Sequence, residues 1–200
     1  SVSLLIESVQ RVEKAGKPLI NMTPLTGLEL AGKNEYMKAN CQPCHSQMIR
    51  PFKSETDRYG DYSLSGEYAY DRPFLWGSKR TGPDLHRIGN YRTTDWHEAH
   101  MMNPPAIVPG SIMPAYKHQF SNLADIETAY AEAVTVKNAF HTPYGPEFKR
   151  TRAAWDAHRP KVLKDAAVIA ADMKDEKVKE AVANGVVPEI VALIAYLNSL

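Results

Sequence analysis

Cysteine is nearly absent: Cys41 and Cys44 are the only two in 200 residues. That excludes a disulfide framework of the kind that staples small secreted folds, and it excludes a four-cysteine zinc site. Charge of one sign is missing too, since 24 Lys plus Arg stand against 23 Asp plus Glu for a formal net charge of +1. Nucleic acid and an anionic membrane surface are therefore not expected as main partners, and electrostatic recognition must come from local patches. Long apolar runs are lacking: stretches such as Ala166 to Ala171 fall far short of the ~20 residues that span a bilayer. The basic start, apolar block and cleavage site of a secretory signal are also lacking, and the chain opens on Ser1 rather than Met. We read it as a processed or truncated product. No internal repeat or low-complexity tract stands out. What is present, 44% hydrophobic and 24% charged residues, is ordinary for a globular protein and excludes wholesale disorder. The length suits one domain with a real core, or a small core with a large appendage.

The two cysteines occupy Cys41-Gln42-Pro43-Cys44, and His45 follows directly. Cys-x-x-Cys-His is the pattern of covalent c-type haem attachment. Each thiol adds to a haem vinyl group as a thioether, while the adjacent imidazole is directed at the iron. Three other readings compete. A thioredoxin-like pair calls for a βαβ context, and no strand-rich flank is visible. Structural zinc needs a second pair of ligands at matching spacing. A disulfide across so short a loop constrains little. Haem c is the expectation. It places maturation outside the reducing cytoplasm and leaves no cysteine for a disulfide.

The iron's other axial position is most often filled by Met in electron carriers. Met48 belongs to the same local turn as His45 and cannot reach round. Met101 and Met102 fall in a stretch that reads as an amphipathic helix, Trp96 to Met102, where apolar positions serve the core. Met113 lies in Val108-Pro109-Gly110-Ser111-Ile112-Met113-Pro114-Ala115-Tyr116, a proline-bounded loop that presents its side chain from extended backbone. It is the expected ligand, against the alternative of a loop methionine packed on the core. His86, His97, His100, His118, His141 and His158 are the competing ligands, most of them expected at the surface. His97 and His100 share a helix face and form a weak candidate metal pair, but Asp95 and Glu98 beside them read as solvated surface.

Regular structure reads as helical. Thr26 and Glu29 form a capping box opening a helix through Leu28, Gly32 and Tyr36 into the haem motif. Pro188 opens a second, with Ile190, Val191, Leu193, Ile194, Leu197 and Leu200 on a period-3.6 face. These two helices are expected to pack together. Ser121 to Asn138 and Thr151 to Asn184 read as further helices, the latter closed by Asn184-Gly185. Pro51 to Gly82 reads as irregular.

A haem motif after an N-terminal helix, a Gly82-Pro83-Asp84-Leu85 turn, a Met-Pro loop and a closing helix together resemble an all-α, class I cytochrome c domain. The resemblance implies that the Pro83 carbonyl orients the His45 imidazole. More narrowly, Cys41 to Phe52, Arg58-Tyr59-Gly60, Tyr62-Ser63, Gly66-Glu67, Asp71 to Leu85 and Met113-Pro114-Ala115-Tyr116 are similar to the mono-haem cytochrome c subunit (FixO/CcoO type) of cbb(3)-type haem-copper oxidases. Residues of about 25 to 120 carry it. Such subunits have an N-terminal membrane helix, so 1–24 is expected to be the segment after a missing anchor. Residues 25–200 are expected to form the haem domain. Within it, 117–187 is expected to be a helical insertion, longer and more charged than the family leads one to expect; its charge-rich part reads as solvated.

The resemblance implies a one-electron relay on the periplasmic face of the bacterial inner membrane. Electrons would arrive from a di-haem cytochrome c subunit or a soluble cytochrome and pass to the catalytic haem-copper oxidase subunit, where oxygen is reduced. The class-different alternative is a free-standing soluble periplasmic electron-carrier cytochrome c; an open-site haem enzyme or sensor is a third reading. No nucleophile-base pair, metal triad or phosphate loop is visible, so a non-catalytic electron-transfer subunit is expected. Beyond Cys41, Cys44, His45, Pro83 and Met113, the residues Arg50, Arg80, Tyr91 and Trp96 are candidate donors to haem propionates. Phe74 and Trp76 read as anchors of a subunit interface.

Overall fold

Thr26 stops the chain ahead of the first helix by accepting from Glu29 N, while the Glu29 carboxylate accepts from Thr26 N at 2.7 Å. Such a reciprocal cap satisfies two amides that the first turn would leave unpaired. In the computed structural model, which describes residues 23–200, this opens α1 (Gly27–Lys38). The expected N-terminal segment lies, up to residue 22, outside the described residues. Seven more α-helices follow: α2 (Lys53–Tyr59), α3 (Thr94–Met102), α4 (Pro104–Ile107), α5 (Ile126–Phe140), α6 (Arg152–Ala171), α7 (Glu176–Ala183) and α8 (Glu189–Asn198). Tighter 3-10 turns lie at Ser65–Tyr68, Ile88–Asn90 and Lys117–Phe120. No strand forms among the described residues beyond an isolated bridge between Leu123 and Pro188. Among the described residues the fold is all-α, as expected.

The expected pairing of first and last helix is the principal packing of the molecule. α1 and α8 cross where Gly32 lies against Ala192: a Cβ on Gly32 would meet the Ala192 carbonyl oxygen at 1.9 Å and Tyr196 Cβ at 2.7 Å. Only a residue without a side chain permits that approach. Tyr36 and Tyr196 meet edge to face beside the crossing, their ring centroids 5.5 Å apart.

α8 is buried on every side, from Glu189 through Leu197, whereas the sequence led us to expect one apolar face. The difference has a physical cause: α6, α3 and the 3-10 turns at Ile88–Asn90 and Lys117–Phe120 cover the sides that α1 leaves open. Val162, Ala166 and Ala170 of α6 join the same core as Leu28, Ile190 and Ile194. A second cluster, Tyr130, Ala133, Val134, Phe148 and Trp155, lies between α5 and α6.

Three expected elements differ, the helix read from Ser121 beginning only at Ile126, where the Asp125 carboxylate caps it by accepting from Thr128 N at 2.9 Å. The helix read as continuous from Thr151 to Asn184 breaks after Ala171: the Asp175 carboxylate caps α7 by accepting from Lys177 N and Val178 N, and buried Glu98 accepts from Lys174 N and Asp175 N at 2.7 Å each. Amides claimed by carboxylates cannot bond to the preceding turn, so the helix restarts. The stretch read as irregular, Pro51 to Gly82, contains α2 and a 3-10 turn. Among the described residues no helix is long and apolar enough to cross a membrane.

Candidate haem-binding site

Asn40, in left-handed backbone (φ 58), turns the chain off α1. Cys41 N still donates to Tyr36 O, and the Cys41 carbonyl then accepts from Cys44 N at 3.1 Å and His45 N at 3.0 Å. One tight turn thus holds both thiols and the imidazole. Both thiols are free, Cys41 buried and Cys44 exposed. Burial pushes the Cys41 thiol up to about 12, and Cys44 adds to the shift. A buried, protonated thiol is the opposite of the low-pKa thiolate a redox pair requires.

The His45 ring is held from the other side of the site. Its Nδ1 donates to the Pro83 carbonyl at 2.8 Å, which fixes the tautomer and leaves the Nε2 lone pair free for a metal. Burial lowers the imidazole's pKa, against the Pro83 bond and Asp84. Gly82 makes the approach possible, since a Cβ there would sit 2.2 Å from the ring's Cε1. Gly82 N donates to Cys44 O and Leu85 N to Ser46 O, each at 2.9 Å, lacing the turn to the motif.

Asp84 completes the lacing, a role that sequence reasoning missed. It is buried and accepts from Ser46 Oγ at 2.6 Å and from Met48 N and His86 N at 2.9 Å each. Its place inside a Gly-Pro turn, where Asp side chains fold back on nearby amides, was the available signal. His86 was likewise missed as a buried group: it stacks on Tyr68, Ser63 Oγ lies 2.5 Å from its Nδ1, and burial lowers its pKa to about 3.

The candidate propionate donors fall in two places. Arg80 is largely buried and engages the Glu55 carboxylate, Ser46 Oγ, the Met48 carbonyl and Asp84; Arg50 reaches the same Glu55 at 2.6 Å. These bonds, Arg80 first, bring the Glu55 carboxyl down to about 2. Tyr91 and Trp96 stand apart, with the Arg92 guanidinium 4.4 Å from each ring centroid. Met113 is half-buried against the main core, its N donating to Ser111 Oγ, while Tyr116 N fastens the loop to Met101 O at 2.8 Å.

The surface expected around His97 and His100 is solvated only in part, at Asp95 and His100. His97 and Glu98 are buried, because Glu98 serves the α6–α7 junction and His97 faces inward. No group of three or more His, Cys, Asp or Glu is placed to hold a metal ion among the described residues. The free thiols, the Nδ1-anchored imidazole and the half-buried thioether of Met113 are a donor set that fits a haem.

A protein-family model described as "Cytochrome C oxidase, mono-heme subunit/FixO" matches residues 3–200. The match spans residues 117–187 as well. No curated protein matches the chain.

Proposed function

Because the chain belongs to the FixO family of mono-haem cytochrome c oxidase subunits, we propose that it carries one covalent haem c and relays single electrons to the catalytic subunit of a cbb(3)-type haem-copper oxidase. In this reading the relay works at the periplasmic face of the bacterial inner membrane and is fed by a di-haem subunit or a soluble cytochrome. The observation that carries the reading is the hydrogen bond from His45 Nδ1 to the Pro83 carbonyl. It raises the basicity of Nε2 and fixes the ring plane, as an axial ligand requires.

When bound, the haem supplies a one-electron iron couple. The chain's own residues do the rest. Cys41 and Cys44 would hold the haem through thioethers, with His45 Nε2 and the Met113 sulfur as ligands to its iron. The lacing of Gly82-Pro83-Asp84 to Cys44-His45-Ser46 keeps the imidazole from swinging as charge changes. A site held this rigidly costs little reorganisation on electron transfer, which is what a relay needs.

The test is the optical spectrum of the periplasmically matured chain, wild type beside Met113→Ala, with haem staining after denaturing electrophoresis. Retained stain, together with a ferric sulfur-to-iron band lost only in the variant, is expected. Matching spectra would exclude Met113 as ligand.

A further inference from the structure

Two imidazole nitrogens on α3 are buried without a hydrogen-bond partner: Nε2 of His97 and Nδ1 of His100. Leaving a buried polar group unpaired forfeits its hydration with nothing in return, so a partner belongs beside it. A cation without a carboxylate partner lies within electrostatic range of both rings. Arg92 meets no carboxylate among the described residues; its guanidinium lies over the Trp96 ring, and His100 stacks on that same ring at 4.6 Å. The other arginines near the motif are engaged, Arg50 and Arg80 on Glu55 and Arg87 on Glu67.

A free guanidinium near two orphaned imidazoles calls for one kind of occupant, a buried anion that accepts several hydrogen bonds. The cluster lies within electrostatic range of the His45 ring; burial lowers the His100 pKa, and the Arg92 guanidinium lowers it further. We propose that Arg92, with His97 and His100, seats the haem's carboxylates, and that Trp96 orients the guanidinium from its ring face. This assignment rests on the haem reading above. It gives Arg92, rather than Arg50 or Arg80, the charge-compensating role, and makes Trp96 a positioning residue.

The experiment uses the full chain matured with its haem. Absence of haem stain in the wild type would remove the underlying reading, an outcome separate from any effect of the variants. In stained protein, Arg92→Gln is expected to shift the propionate-bending band in the resonance Raman spectrum and to lower the reduction potential, because a cation near the iron is lost. Arg92→Lys is expected to recover the potential but not the band, since an ammonium restores charge without the planar fork. A wild-type band and potential in Arg92→Gln would overturn the proposal. If Arg92→Gln carries no haem, Arg92→Lys decides, an unshifted band counting against. If neither matures, a crystal structure of the wild-type holo chain decides: a haem carboxylate hydrogen-bonded to Arg92 supports the assignment, and both carboxylates placed elsewhere overturn it.

Discussion

Replacing Gly82 by alanine adds one methyl group and isolates one cause. Gly82 has no positive φ, so alanine meets no backbone strain there, and its smaller unfolded-state entropy favours folding by about 0.4–1 kcal/mol. Against that, the new Cβ would sit 2.2 Å from His45 Cε1 and 2.8 Å from both ring nitrogens. Ordinary contact is about 3.5 Å, so the ring must retreat by more than about 1 Å. Such a shift stretches the 2.8 Å bond to Pro83 beyond hydrogen-bonding range, a net loss of about 0.5–1.5 kcal/mol, on top of about 1–3 kcal/mol for overpacking. Gly82→Ala is expected to destabilise the holo chain by about 1–3 kcal/mol, read by urea unfolding followed at the haem band and by circular dichroism. The reduction potential is also expected to shift from its wild-type value, because the imidazole loses its fixed tautomer and orientation. A variant with wild-type midpoint and wild-type spectrum would refute the argument that Gly82 is there to admit the ring.

Three further outcomes are expected in other parts of the molecule. Gly32→Ala places a methyl 1.9 Å from Ala192 O, so despite the ~1 kcal/mol that alanine gains in a helix the chain should lose about 2 kcal/mol, measured by chemical denaturation; unchanged stability would show that α1 and α8 separate freely. Glu55, depressed to about 2 by Arg80 and Arg50, contributes stability that is complete above its unfolded pKa of about 4.3 and is lost as pH falls through that value towards 2. Glu55→Gln should therefore flatten the acid limb of a stability–pH profile across that window, and an unchanged limb would remove the ion pair as its source. Trp76, stacked on Phe74 at 4.7 Å with both rings partly exposed, is expected to anchor the catalytic subunit. Trp76→Ala should leave the haem spectrum intact and reduce co-purification of that subunit, and full recovery would end the idea.

Local signals in the sequence were enough for the motif, the helix caps and the two terminal helices. Cys41, Cys44 and His45 form a motif that is read from spacing alone, and the Thr26–Glu29 box acts within one turn. The break at Asp172 to Asp175 was not legible, because Glu98 supplies it from another helix. Nor was the burial of His97, which its acidic neighbours made to look solvated although their partners lie far along the chain.

The sequence by itself thus determined the class of chemistry: two thiols and an imidazole at attachment spacing, helical elements with their own caps, and a charge balance without a patterned partner. Tertiary structure alone decided which groups share the site. Pro83 reaches His45 across 38 positions, Arg80 turns to Glu55, and Arg92 stays free over Trp96 near two unpaired imidazoles. The division has one physical reason. Covalent spacing and helix capping act over a few residues, where the chain holds partners near each other, whereas burial and charge pairing depend on which distant surfaces the core brings into contact.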